Sequence, residues 1–284
     1  MKIKLHLILI PILMVASLSF ASCETSSQSV SDDLNSNSLQ NEKNVESANR
    51  AKDTESAVDG NDNEADGLKA FFQNANDFFV KNVKNGKVDY AGISKNKSQL
   101  KDLTTALSEM DISGASENEY KAFWINAYNV LTIEGIVNNY PIKQPLDVKG
   151  FFDEIKYKVA NEEITLNDIE NKKLRAKLND ARIHFVLVCG AQSCPPIINE
   201  AYMPDNVNDL LEQQTKKAVN ADYFVEVDKS SKEVTVSMIM KWYKDDFVSG
   251  DKNEIDFLNK YRKEKISADY TLKHKEYNWD LNKQ

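Results

Sequence analysis

The sequence predicts an α+β fold, a single domain of N-terminal helices packed on a small mixed or antiparallel sheet. Three observations lead there. Apolar residues recur at three- and four-residue spacing from Leu68 to Ile136. Alternating β-rich stretches with hairpin-type turns follow from Ile155 onwards. Between them, Ile183 to Cys189 (I-H-F-V-L-V-C) is an almost unbroken apolar run, read as a buried central strand. Helices first and strands later, without regular alternation, is the α+β pattern.

The first residues carry an address. Lys2 and Lys4 precede an apolar stretch from Leu5 to Val15, and small residues Ala21 and Ser22 lead to Cys23, the layout of a secretory signal. Phe20-Ala21-Ser22-Cys23 resembles a bacterial lipobox. The resemblance implies that residues 1–22 are removed and that Cys23 is lipidated, anchoring the chain to a membrane without spanning it. The alternative is an ordinary signal peptide cut nearby, leaving Cys23 as a free thiol. Either way the expected location is the bacterial cell envelope, on the periplasmic side or the cell surface.

Residues 23–67 read as an acidic, disordered tether. Glu24 to Gly67 has no aromatic residue and holds eleven acidic against three basic residues. Such a segment buries too little apolar surface to offset its ordering entropy. The whole chain of 284 residues has a formal charge of -8, and this segment alone accounts for it, leaving about -2 on residues 68–284. An acidic chain with no concentrated basic face is a poor binder of phosphate backbones, so no nucleic-acid partner is expected. Only 9 Gly, 6 Pro and 3 Cys exclude collagen-like and disulfide-framework architectures.

Residues 68–284 form the expected globular domain. Leu68, Phe71, Phe72, Ala75, Phe78, Phe79 and Val83 mark one helix face, ended by Asn85-Gly86. A second helix is expected over Ser98 to Met110. Ser116 with Glu119 reads as a capping box for a third, running through Phe123, Ala127, Leu131 and Ile136 until Pro141 stops it. Ile155, Tyr157 and Val159 alternate with lysines and turn at Asn161-Glu162 towards Ile164. Thr165 and Asp168 then cap a helix reaching Leu178. Val207 to Val219 reads as helix, Tyr223–Val227 and Glu233–Ser237 as a hairpin, and Ile239–Phe247 and Glu254–Tyr261 as short closing helices.

Several motifs occur together: Phe123-Trp124-Ile125-Asn126-Ala127-Tyr128-Asn129; Leu166-Asn167-Asp168-Ile169-Glu170; Arg182-Ile183-His184-Phe185 through Cys189 to Cys194-Pro195-Pro196; Lys241-Trp242-Tyr243 with Asp246-Phe247; and Tyr277-Asn278-Trp279. By these the chain resembles the family called domain of unknown function 547, over residues 68–284. That family usually has His where this chain has Asn171. The resemblance implies a domain boundary and no established reaction.

The candidate site residues are therefore weighed on their chemistry. His184 is either a general base or a buried imidazole held by a carbonyl or carboxylate. In a regular strand it would lie roughly 16 Å from Cys189 and on the opposite face, too far for a thiol and its base. Cys194 would approach only if its loop doubled back. Cys189 and Cys194, five apart in an exported chain, are candidates for a disulfide, with free structural thiols or a reactive thiol as the other readings. Asn126 and Asn129 share a helix face, either as a buried network towards the strand, Arg182 or Glu170, or as the wall of a cleft beside Tyr128. Glu170 reads as an ion-pair partner of Arg175 or His184. No metal ligand set and no cofactor are expected, since two cysteines and one distant histidine lack compact spacing and no glycine-rich phosphate loop is present.

The reading that follows is an envelope binding or interaction module with a polar cleft near His184, its ligand an envelope protein, a peptide or a glycan. The alternative is a papain- or transglutaminase-like thiol hydrolase or acyl transferase using His184 with Cys194.

Overall fold

The computed structural model describes residues 60–250 and 253–284. The expected signal peptide, Cys23 and most of the expected tether lie outside the described residues. The first helix, α1 (Gly60–Asn82), starts ahead of the expected boundary, but the first buried side chain described on it is Leu68. A two-residue hairpin, β1 (Val83–Lys84) and β2 (Lys87–Val88), turns at Asn85 and Gly86, both at positive φ. Helices α2 (Tyr90–Lys95) and α3 (Ser98–Glu109) follow.

Helix α4 (Glu117–Asn138) is the axis of the domain. Its N-terminus carries the expected capping box, Ser116 accepting from the Glu119 N–H while the Glu119 carboxylate accepts from the Ser116 N–H. From Lys121 to Ile133 every residue is buried, so this helix is surrounded rather than amphipathic. It packs against α1, α2, α3 and α7 (Val207–Val219).

Three small sheets complete the fold. β3 (Lys156–Val159) and β4 (Glu162–Thr165) form the expected antiparallel hairpin, turned by Ala160 and Asn161 at positive φ. It packs on α3. β5 (Val225–Asp228) pairs antiparallel with β6 (Glu233–Val236), which pairs in parallel with β7 (Thr271–His274), giving a mixed three-stranded sheet. β7 escapes the sequence reading because its Lys-rich alternation leaves it only half-buried at an edge. The chain is α+β, but the N-terminal helices pack on one another and on the β3–β4 hairpin. The three-stranded sheet belongs to a second apolar cluster with Phe185, Phe224, Phe247, Phe257 and the short helices α8 (Met238–Trp242), α9 (Lys244–Val248) and α10 (Glu254–Tyr261).

The central strand expected over Ile183–Cys189 is not there. Asp180 caps a 3-10 helix over Ala181–Phe185, and Val186 to Cys189 continue as a non-repetitive segment. A continuous apolar run specifies burial, not pairing. Here the burial is achieved against α4, and a side chain replaces the neighbouring strand. Asn129 Nδ2 donates to the Val186 carbonyl (3.0 Å), and its Oδ1 accepts from the Val188 N–H (2.9 Å). The face alternation and the roughly 16 Å separation between His184 and Cys189 fall with the strand.

Candidate functional site

Where the two clusters meet, an open cavity of about 310 Å³ is lined by Tyr128, Phe152, Asn167, Glu170, His184, Leu187, Cys189, Cys194, Ile239, Trp242, Tyr243, Tyr277 and Trp279. That volume is at the small end of small-molecule sites.

One wall comes from the helix after β4. Thr165 Oγ1 accepts from the Asp168 N–H (3.0 Å), starting α5 (Leu166–Asp168) as the capping pattern predicts. The helix then widens into a π segment, Ile169–Arg175, before α6 (Ala176–Leu178). In an α-helix residues five apart point about 140° away from each other, whereas π winding brings them towards one side. Glu170 and Arg175 are such a pair. The negative charge of Glu170 reaches Arg175 and Tyr243 alike.

The polar floor is a chain of charge-assisted contacts. Asp246, on α9, accepts from Arg175 Nε (2.6 Å) and a second guanidinium nitrogen (2.8 Å), and its Oδ2 is 2.7 Å from His184 Nε2. Burial pushes the Asp246 pKa up, but hydrogen bonds from His184 and Arg175 prevail and hold it below the usual carboxylate range. An ionised carboxylate only accepts, so His184 donates to it through Nε2, and its Nδ1 faces Glu170 Oε1 3.8 Å away. The imidazole is 3% exposed and stacks on Tyr243 with ring centroids 4.0 Å apart, while the Arg175 guanidinium lies 5.0 Å from the same ring centroid. Burial first, then the Glu170 charge, raises the pKa of Tyr128, Tyr243 and Tyr277 above that of a free phenol, so all three stay neutral O–H donors.

The opposite wall is a loop and the C-terminal segment. Cys189 and Cys194 are joined by a disulfide. With both sulfurs bonded, the cavity presents a disulfide and no thiol to His184. Gly190 sits at φ +80°, a conformation that L side chains rarely adopt, so the loop requires glycine there, and a Cβ would also come within 2.4 Å of Ile136 Cδ1 on α4. The C-terminal segment holds this loop by backbone bonds: Gln192 N–H to Asp280 O (2.8 Å), Ser193 N–H to Asn278 O (3.2 Å) and Asn282 N–H to Gly190 O (2.9 Å). The same segment brings Tyr277 and Trp279 onto Trp242, with ring centroids 4.8 to 5.8 Å apart. Trp242 is 45% exposed.

The sequence-predicted candidates separate clearly. Tyr128, Glu170, His184, Cys189 and Cys194 come together at the cavity. Asn126 does not line it: it is 0% exposed, and its amide grips Tyr202, donating to the carbonyl (2.7 Å) and accepting from the N–H (3.1 Å). Arg182 also lies elsewhere, paired bidentately with Asp180 and reaching Glu212 at 3.4 Å. Sequence reasoning missed Asp246 as the partner of His184. The signal was the spacing of Tyr243, Asp246 and Phe247, which puts an acid on the aromatic face of a short helix. Among the described residues no group of three or more His, Cys, Asp or Glu is placed to hold a metal ion, and no helix is long and apolar enough to cross a membrane.

Residues 112–218 match the family described as "Protein of unknown function, DUF547", in agreement with the resemblance drawn from the motifs. The match takes in Asn126 to Asn129, Glu170, His184 and the disulfide loop, and stops short of Trp242, Asp246 and Tyr277. Comparison with curated proteins and with solved structures gave no match.

Proposed function

We propose that this chain is an envelope binding module, lipid-anchored through Cys23 and held off the membrane by its acidic tether, whose ligand enters the cavity above His184. The observation that supports it most is the lining: six aromatic side chains around one opening, with a few polar groups converging at its base. A pocket of this composition takes a flat or ring-shaped group on its aromatic faces and orients it by hydrogen bonds. Glu170 accepts, the tyrosine hydroxyls donate, and Arg175 and Asp246 fix the tilt of the imidazole. Glycan units and aromatic peptide side chains present such groups.

Two of the three tryptophans of the chain line the cavity, which provides the assay. Titration of the full chain with envelope glycan fragments and with peptides is expected to change tryptophan emission for one of the two classes. Trp242→Ala is expected to weaken that binding about tenfold or more, the usual cost of truncating an aromatic anchor, with a smaller effect on stability because the residue is nearly half exposed. Saturable binding that survives Trp242→Ala unchanged would place the ligand elsewhere and overturn the reading. The anchor is tested separately, by Cys23→Ser, which should release the chain from the membrane fraction.

A further inference from the structure

We propose that the Cys189–Cys194 disulfide is a reactive group of the cavity, which exchanges with low-molecular-weight thiols, rather than a brace for the fold. Four observations carry this. Both sulfurs belong to cysteines that line the open cavity. The bridge closes a ring of only six residues, which constrains the unfolded chain little. The loop is also held without it, by the bonds from Gln192 and Ser193 to the C-terminal segment and from Asn282 of that segment to the Gly190 carbonyl. Finally, the two sulfurs are not equivalent. The Cys189 N–H donates to Cys194 Sγ (3.0 Å), while the Tyr277 hydroxyl lies within reach of both sulfurs, 3.1 Å from Cys194 Sγ and 3.2 Å from Cys189 Sγ. Cys194 is 4% exposed, whereas Cys189 is only half-buried.

That asymmetry sets a direction. A departing sulfur leaves faster when its thiolate is stabilised: the backbone donor serves Cys194 alone, and the Tyr277 hydroxyl between the sulfurs turns to it once the S–S bond breaks. Cys189 is the more exposed of the two cysteines. An incoming thiolate therefore attacks Cys189 Sγ, the S–S bond breaks, and its electron pair passes to Cys194 Sγ, which takes the hydrogen bonds of the Cys189 N–H and the Tyr277 hydroxyl. The new bond joins Cys189 to the incoming sulfur. A second thiolate attacks that incoming sulfur, freeing Cys189 and forming a small-molecule disulfide. The two protons lost by the attacking thiols end on Cys189 and Cys194. Two thiols have been oxidised by two electrons and the protein disulfide reduced by two. The small cavity admits a thiol of amino-acid or short-peptide size. Because Tyr277 stays protonated, its donor role persists at neutral and mildly alkaline pH.

The test is the rate at which cysteine and glutathione open the bridge in the folded, full chain, read as trapped free thiols by mass spectrometry. Opening while the protein stays folded is expected. Tyr277→Phe keeps the ring against Trp242 and Trp279 and removes only the hydroxyl, and it should slow opening about three- to tenfold. A second variant, Cys194→Ser, should accumulate a mixed disulfide on Cys189 when given glutathione disulfide. A bridge that opens only when the chain is unfolded would overturn the proposal, as would equal rates in wild type and Tyr277→Phe. Failure here would leave the binding module untouched, since that reading rests on Trp242 and the aromatic lining.

Discussion

Asn129→Leu is expected to destabilise the domain by about 2–5 kcal/mol, and Asn126→Leu by a similar amount. Leucine matches asparagine in size, so the change leaves little cavity and isolates the polar cost. Asn129 is 2% exposed and supplies both partners of the segment that was expected to be a strand. Without the amide, the Val186 carbonyl and the Val188 N–H remain buried and unpaired, each costing about 1–3 kcal/mol. Asn126 does the same for the two backbone groups of Tyr202. The two amides serve different segments but stand one turn apart on α4, so a double-mutant cycle rather than simple addition gives their joint loss. Urea denaturation of the full chain measures this. Near-neutral stability combined with lost ligand binding would instead make the amides part of the cleft wall, the other role their positions in the sequence left open.

These amides also show where the sequence was legible and where it stopped. Ser116 with Glu119 and Thr165 with Asp168 are local signals, each satisfied within one turn: the first forms the full capping box, and in the second Thr165 accepts from the Asp168 N–H. Val207–Val219 matches its expected bounds because its apolar spacing and its packing agree. Ile183–Cys189 fails because the partner that replaces a neighbouring strand is distant: it is one side chain of α4, Asn129, more than fifty residues earlier. An apolar run says that a segment is inside; it does not say what satisfies the backbone there. The error propagated, since it set His184 and Cys189 on opposite faces when they share one cavity. The π segment was equally hidden, because its sequence, I-E-N-K-K-L-R, has nothing to distinguish it from an α-helix.

The cavity was only partly legible for a related reason. His184, Glu170 and Tyr128 stand out as polar or amphipathic residues within apolar motifs, so they could be picked singly. Asp246 sits in a Lys-Asp-Asp run that reads as a solvated helix face. Its role depends on Arg175 and His184, 71 and 62 residues away, arriving at the same carboxylate.

Asp246 gives the remaining large effect. Asp246→Asn is expected to cost about 2–4 kcal/mol, because it removes the charge that pairs Arg175 and orients His184 while both stay largely enclosed. For a domain of this size that lowers the melting temperature by about 4–16 °C. The pH dependence has a defined sign. The Asp246 pKa is depressed in the folded state, so its contribution is fully present above the unfolded aspartate value of roughly 3.9. It is lost as pH falls through the lower folded value. The gap in stability between wild type and Asp246→Asn should therefore be wide at neutral pH and narrow progressively below about pH 4. Thermal melts of both proteins across that range decide it. A gap that stays constant in acid would show that the carboxylate's charge is not what holds Arg175 and His184. The orientation of the imidazole at the base of the cavity would then have to come from its stacking on Tyr243.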